Sequence, residues 1–250
     1  MNIHFFIIII LTIIFLIIYS QNKVQENFGS TKIPKIIIQT WKDNNIPKKY
    51  KLDVESVRKI NPDYKILFFT DKDIEDFLKK EYPDYYVTFQ KLPVFIQKID
   101  FFRYIAVYHY GGFYFDLDMR ALAPLDDLLN YDSVFPMDMH ITEQRCVSNA
   151  KRYKIFCEKD VKFLVGQYAF GAKPKHLFIK KLIDNIHNNL DEIIKTKNDT
   201  HLYVYRTTGP DYVTINYLNY NGKDDIYILE HPENQYFGNY AAHNFYGTWK

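Results

Sequence analysis

Residues 111–118 read GGFYFDLD, directly behind the run QKIDFFRYIAVYHY at 97–110. The run has helical spacing: Ile99, Phe102, Ala106 and Tyr110 share one stripe, and Asp100, Arg103 and Val107 another. Two glycines break it, a short aromatic strand over 113–116 follows, and the octet ends in Asp116 and Asp118. Carboxylates two apart at a strand end can turn toward one small volume, which suits a hard divalent cation such as Mg²⁺ or Mn²⁺. Gly111-Gly112 reads either as a helix C-cap or as backbone passing close to a ligand.

Outward from this octet, strands and helices alternate. KIIIQT at 35–40 is a compact β-branched run of the kind buried in parallel sheets, and YKILFFT at 64–70 is a second. Helices are predicted over 48–60 and 71–81, with a turn at Asn61-Pro62-Asp63. Further strands are predicted near 133–135, 163–170 and 225–229, and a long helix near 175–194. The alternation predicts an α/β domain with a mainly parallel sheet covered on both faces. Ligands in such sheets bind beyond the carboxyl ends of the strands, where Asp116 and Asp118 fall.

The first twenty residues are of another kind. Residues 5–19 read FFIIIILTIIFLIIY, about 25 Å of helix and at the short end of a bilayer span. A basic n-region and an A-x-A cleavage site are missing, so the segment 1–20 is read as an uncleaved anchor rather than a signal peptide. Residues 21–32 form a polar stem, and 33–250 the catalytic domain. Lys23, Lys32 and Lys35 after the anchor favour a cytosolic domain. The sequon Asn198-Asp199-Thr200 favours a luminal one.

Lys+Arg 32 against Asp+Glu 30 leaves no field that calls for nucleic acid as a partner. Cys146 and Cys157 are too few for a disulfide scaffold or a cysteine zinc cage; they form one loop-closing disulfide or stay two thiols.

With 21 Asp in the chain, about two Asp-x-Asp pairs arise by chance, and two occur, so context must separate them. Asp71/Asp73 opens a helix and complements its dipole. Asp116/Asp118 follows an apolar strand, where unpaired carboxylates are costly without a cation or donors. Asp100 and Arg103 are either a surface i,i+3 ion pair contributing about 0.3 kcal/mol, or a working pair. In the second case Arg103 cross-links a carboxylate or phosphate while Asp100 accepts from sugar hydroxyls.

IPKIIIQTW at 33–41, KIDFFRY at 98–104, GGFYFDLD, TGP at 208–210 and HNFYGTW at 243–249 occur in this order. Together they resemble the DXD-containing sugar-transferase family that includes fungal outer-chain and inositol-phosphoceramide mannosyltransferases, and more distantly the glucosylating domains of large bacterial toxins. The resemblance runs over 33–249 and is most specific over 100–118. It implies a GT-A type, Rossmann-like fold, a nucleotide-sugar donor and a divalent metal. By position, Gln39, Thr40 and Trp41 would line a nucleobase pocket, and Asp100 and Arg103 would hold the donor sugar, with Gly112, Thr208 and Gly209 contributing to substrate binding. Asp116 would contact ribose or sugar and, with Asp118 and His243, make the metal–diphosphate site; Asp116, Asp118 and Arg103 are the candidate catalytic residues. Two departures stand out. Ile38 replaces the family's usual His, and Gln167 with Lys173-Pro174-Lys175-His176 replaces an Asn and a small-Pro-x-His-Pro turn.

The implied activity is metal-dependent hexosyl transfer with configuration retained, from GDP-mannose before UDP-hexoses, to a glycan or glycolipid acceptor. The implied location is a single-pass type II protein of a Golgi/ER-type lumen. A tethered nucleotide-sugar binding module without turnover is the alternative. An Asp-dependent phosphohydrolase fits less well, because Asp126-Asp127 comes too soon and Arg120 stands where Thr or Val is expected.

Overall fold

The computed structural model describes residues 32–198, 200–232 and 235–247. The expected anchor at 1–20 and all but the last residue of the stem lie outside this range, as does Asp199 of the sequon. Among the described residues no helix is long and apolar enough to cross a membrane. The described residues form one unit by their contacts.

A seven-stranded mixed sheet organises this unit. Its path runs β2 (Lys65–Phe69), β1 (Ile36–Thr40), β3 (Gly112–Phe115), β7 (Ala169–Ala172), β5 (Ser133–His140) and β6 (Phe163–Val165), with β8 (Ile226–Leu229) also paired to β5. β1 pairs parallel with β2 and β3, and β5 parallel with β8; β7 is antiparallel to β3 and β5, and β6 to β5. Five of the seven strands therefore run the same way, as the alternation predicts. The expected single strand over 163–170 is instead two, β6 and β7. Gly166 and Gln167 lie between them, so the chain leaves one side of β5 and returns between β3 and β5.

Side-chain alternation sorts two cores onto the two faces. Ile37, Phe113 and Phe115 join Val57 of α1 (Lys48–Ile60) and Phe237, while Ile38, Tyr114 and Phe170 join the opposite layer. That layer is built on α4 (Phe95–Tyr110) and α7 (Leu177–Asn188). α2 (Asp71–Glu81) and α3 (Pro83–Lys91) precede α4, and α5 (Glu143–Ser148) and α6 (Ala150–Cys157) come between α4 and α7; α8 (Leu190–Lys195), α9 (His201–Thr207) and α10 (Pro210–Leu218) follow α7. The long helix expected over 175–194 breaks at Asn189 into α7 and α8.

Two stripes on α4 underestimate its burial. Every residue from Asp100 to Val107 is buried, because the helix runs between the sheet and α7 rather than along a surface. Phe102 alone packs edge-on against Phe69 and Phe77, so Phe102→Ala would cost about 3–5 kcal/mol. α4 ends at Gly111, whose N–H donates to the Val107 carbonyl at 2.8 Å with φ +67°. Gly112 is glycine because a Cβ there would sit 2.5 Å from the Ile36 carbonyl oxygen of β1. Cys146 and Cys157 are joined in a disulfide that ties α5 to the end of α6, which closes the choice between bridge and thiols.

Candidate active site

A cleft of about 480 Å³ opens at the carboxyl ends of the strands, within the size range of small-molecule sites. Thr40 and Trp41 enter it from the end of β1, Asp71 from the end of β2, Asp116 and Asp118 from the end of β3, and Asp138 from β5. This is where an open α/β sheet offers backbone ends and loops to a ligand.

The wall of the cleft is a buried polar network centred on Arg103. Its Nη2 lies 3.3 Å from Asp100 Oδ1 and 3.2 Å from Asp116 Oδ1, and its Nη1 donates to the Gln167 carbonyl at 3.0 Å and to Gln167 Oε1. The guanidinium lies 4.6 Å over the Tyr114 ring. Asp100 receives Thr208 Oγ1 at 2.7 Å and Gln167 Nε2 at 3.2 Å. The Tyr104 hydroxyl donates to the Thr208 carbonyl at 2.7 Å, and the Tyr114 hydroxyl to Asp116 Oδ1 at 2.8 Å. Arg103 and Asp100 are 3% and 1% exposed, so the surface ion-pair reading is overturned: these charges are desolvated and depend on each other. Burial pushes the Asp100 and Asp116 carboxyls up, and Arg103 is the main opposing influence in both.

Asp118 is held differently. The two-stranded ladder of β4 (Met119–Ala121) and β9 (Ala241–His243) pairs Met119 with His243, which brings the C-terminal motif back beside the octet. His243 Nε2 lies 3.2 Å from Asp118 Oδ1, and the Tyr246 N–H donates to Asp118 Oδ2 at 3.0 Å. Burial works against the Asp118 charge, but His243 and the Tyr246 amide outweigh it and hold the carboxyl below its usual range. Asp116, Asp118 and His243 each offer one ligand atom, all within 4.8 Å of one another. Two carboxylate oxygens and an imidazole nitrogen are a donor set that fits a divalent cation.

The structure gathers Thr40, Trp41, Asp100, Arg103, Asp116, Asp118, Gly209 and His243 around the cleft. Thr208 sits one layer behind, fully buried on Asp100. Gln39 is also fully buried, on the Ile37 side of β1, and neither amide atom finds a partner among the described residues. Gly112 lies at the far end of β3 against Ile36. Ile38 is a core residue packed on the α4 face.

Among the cleft residues to which the sequence gives no site role are Asp71, Asp138, Arg152 and Tyr205. The sequence ties Asp71 to the helix dipole alone, yet burial pushes its carboxyl up at the cleft edge. Asp138 sits in the apolar strand sequence VFPMDMH, and a lone carboxylate there was the available signal.

Residues 47–135 match the family described as "Glycosyltransferase sugar-binding region containing DXD motif". The chain is 29% identical over 227 residues to inositol phosphoceramide mannosyltransferase 1 of Schizosaccharomyces pombe, covering 87% of this chain and 63% of the relative. It is 31% identical over 188 residues to mannosyl phosphorylinositol ceramide synthase SUR1 of Saccharomyces cerevisiae, covering 75% of this chain and 42% of the relative. An uncharacterized glycosyltransferase, L373, of Acanthamoeba polyphaga mimivirus is 28% identical over 233 residues, covering 87% of this chain and 84% of the relative. The chain thus spans less than two thirds of these fungal relatives. In fold it resembles the PaToxG glycosyltransferase, with a TM-score of 0.54 at 19% identity over 82% of this chain and 79% of that one. Residues 47–135, which hold the octet and its helix, thus carry the sugar-binding region with the DXD motif of this sugar-transferase family, and the similarity to the mannosyltransferases extends beyond them.

Proposed function

We propose that the protein is a metal-dependent glycosyltransferase that moves a hexose, mannose before glucose or galactose, from a nucleotide-sugar donor to a glycan or glycolipid acceptor with retention. The observation that carries this reading is the convergence of Asp116, Asp118 and His243 beside the buried Asp100–Arg103 pair in one cleft. The relatives named as mannosyltransferases support mannose, and hence GDP-mannose, as the first donor to try.

Asp116, Asp118 and His243 would hold the ion, Mn²⁺ or Mg²⁺. When bound it would offset charge developing on the departing nucleoside diphosphate. The chain's own groups bind and orient. Trp41 presents an indole N–H with no partner among the described residues, next to Thr40, where a nucleobase would lie. Asp100 and Arg103 form the wall against which the donor sugar would rest, and Gln167 and Thr208 hold that wall in place.

The domain division follows the same reading: anchor 1–20, stem 21–32, catalytic domain 33–250, in a single-pass type II protein. The Cys146–Cys157 disulfide supports a domain on the luminal side, since such bonds persist in oxidising compartments.

The direct test is nucleotide release from a panel of donors by the purified protein, with and without Mn²⁺. Release should need the ion, stop with EDTA, and fall by about a hundredfold or more in Asp118→Asn. Turnover indifferent to EDTA and to that substitution would sink the metal role. Nucleotide-sugar binding in calorimetry without any release or transfer would leave a tethered binding module instead.

A further inference from the structure

β5 carries an irregularity where it meets the cleft. Met137 and Met139 face Val165 and Leu164 of β6, so two steps on β5 oppose one step on β6. Asp138 is the extra residue, and such a bulge re-aims its side chain. It is directed into the cleft, where no hydrogen bond or ion pair holds it among the described residues. Asp138 is half-buried where β5 passes from the core into the cleft, and an unpaired carboxylate set beside a buried apolar strand is well placed to take a ligand.

Its surroundings are built. Arg152 lines the same end of the cleft, and its Nε and Nη2 grip Asp211 Oδ1 at 3.1 and 2.7 Å. Asp211 is fully buried in the first turn of α10. The Arg152 guanidinium lies 4.4 Å over the Tyr205 ring, which also faces the cleft. Burial pushes the Asp138 carboxyl up, with Arg152 and His243 opposing. The far end of the cleft thus has a free carboxylate, a clamped cation and an aromatic wall.

Sheet order says which end of a substrate this is. From the end of β1, with Trp41, the path goes through β3, with Asp116 and Asp118, and then β7 to β5. At about 4.8 Å per strand, Asp138 lies roughly 10 Å beyond the carboxylates of β3, on the side away from Trp41. A donor laid from Trp41 to the β3 carboxylates leaves this end for the second substrate.

We propose that Asp138, aimed by the β5 bulge and flanked by Arg152 and Tyr205, binds the hydroxyls of a polyhydroxylated acceptor, a hexose or cyclitol ring. The assignment rests on the transferase reading above and gives that site its acceptor end. A carboxylate accepts from two neighbouring hydroxyls of such a ring, and an aromatic wall suits its apolar edge.

The test uses the full chain with a donor from which wild type releases nucleotide, and methyl α-mannoside and myo-inositol as acceptor probes. Asp138→Asn keeps the shape and removes the charge; Asp138→Ser is the second variant, and thermal melting reports that each is folded. Acceptor KM should rise by about tenfold or more in both variants. Donor KM, read from acceptor-free release, should move by less than about twofold, and Asp138→Glu should recover part of the acceptor affinity. Unchanged acceptor KM in folded variants of an active enzyme overturns this assignment alone. A donor KM that rises as much as the acceptor KM moves Asp138 to the donor side and overturns it too. Wild type that releases nucleotide from no donor overturns the transferase reading, and the acceptor assignment falls with it.

Discussion

Arg103 Nη2 stands 3.2 Å from Asp116 Oδ1, so a helix residue thirteen positions earlier fixes the carboxylate at the end of β3. The same guanidinium holds Asp100 and Gln167, and it does so as a planar fork. Lysine keeps the charge but cannot reach three partners in those directions. Arg103→Lys should therefore lower nucleotide release by about tenfold to a hundredfold at saturating donor. Steady-state kinetics on folded variant checks this. Full activity in the lysine variant would reduce Arg103 to a point charge.

Gln167 has a separable role. Its Nε2 donates to Asp100 Oδ1 at 3.2 Å while its carbonyl and Oε1 accept from Arg103 Nη1. Gln167→Ala takes one donor from Asp100 Oδ1, which keeps Arg103, and one acceptor from Arg103 Nη1, which keeps the backbone carbonyl of residue 167. A loss of about 1–3 kcal/mol is expected in urea denaturation. Asn at this position offers the same amide one methylene short and should recover part of it; an alanine variant as stable as wild type would show that water replaces the amide.

The fold and the centre of this site were legible in the sequence because both depend on local pattern. β-branched runs, helical spacing and the Gly111-Gly112 break placed β1, β2, α4 and β3, and the octet's position at a strand end placed Asp116 and Asp118. The burial of Asp100 and Arg103 was open to two readings until α7 was seen to cover α4. Asp138 depended on a register slip between β5 and β6, and Arg152 on a partner fifty-nine residues away, Asp211. Pairing over such separations leaves no periodic trace along the chain. Gln39 illustrates the opposite limit: its motif position suggested the cleft, but period-two alternation along β1 puts it on the other face from Thr40.

The disulfide makes a covalent prediction. Cys146 and Cys157 close a loop with a sequence separation of 11. Loop-closure entropy puts its contribution at about 2–3 kcal/mol, and the paired Cys146→Ser, Cys157→Ser variant should melt roughly 5–10 °C lower. Non-reducing peptide mapping of protein from an oxidising compartment should recover the two cysteines in one linked species. Free thiols on both in that sample would contradict the bridge. Because α6 carries Arg152, the double variant should also weaken acceptor use more than donor use.

Asp73 gives a pH prediction with a definite sign. Its Oδ2 accepts from the Thr70 N–H at 2.9 Å and the Thr70 hydroxyl at 2.6 Å, and its own N–H donates to Thr70 Oγ1 at 3.2 Å, closing a reciprocal cap on α2. The Thr70 hydroxyl and amide hold its carboxyl below the ordinary value of 3.8. A depressed folded value means that the cap's ionic contribution is complete above that ordinary value. It is lost as pH falls through the lower, folded one. Wild type should therefore lose stability relative to Asp73→Asn on descending below about pH 4, and the two curves should converge in stronger acid. At neutral pH, Thr70→Ala should cost about 1 kcal/mol through the same cap. Urea midpoints measured across the acid range decide it: a constant gap between wild type and Asp73→Asn would mean that the amide caps α2 as well as the carboxylate does.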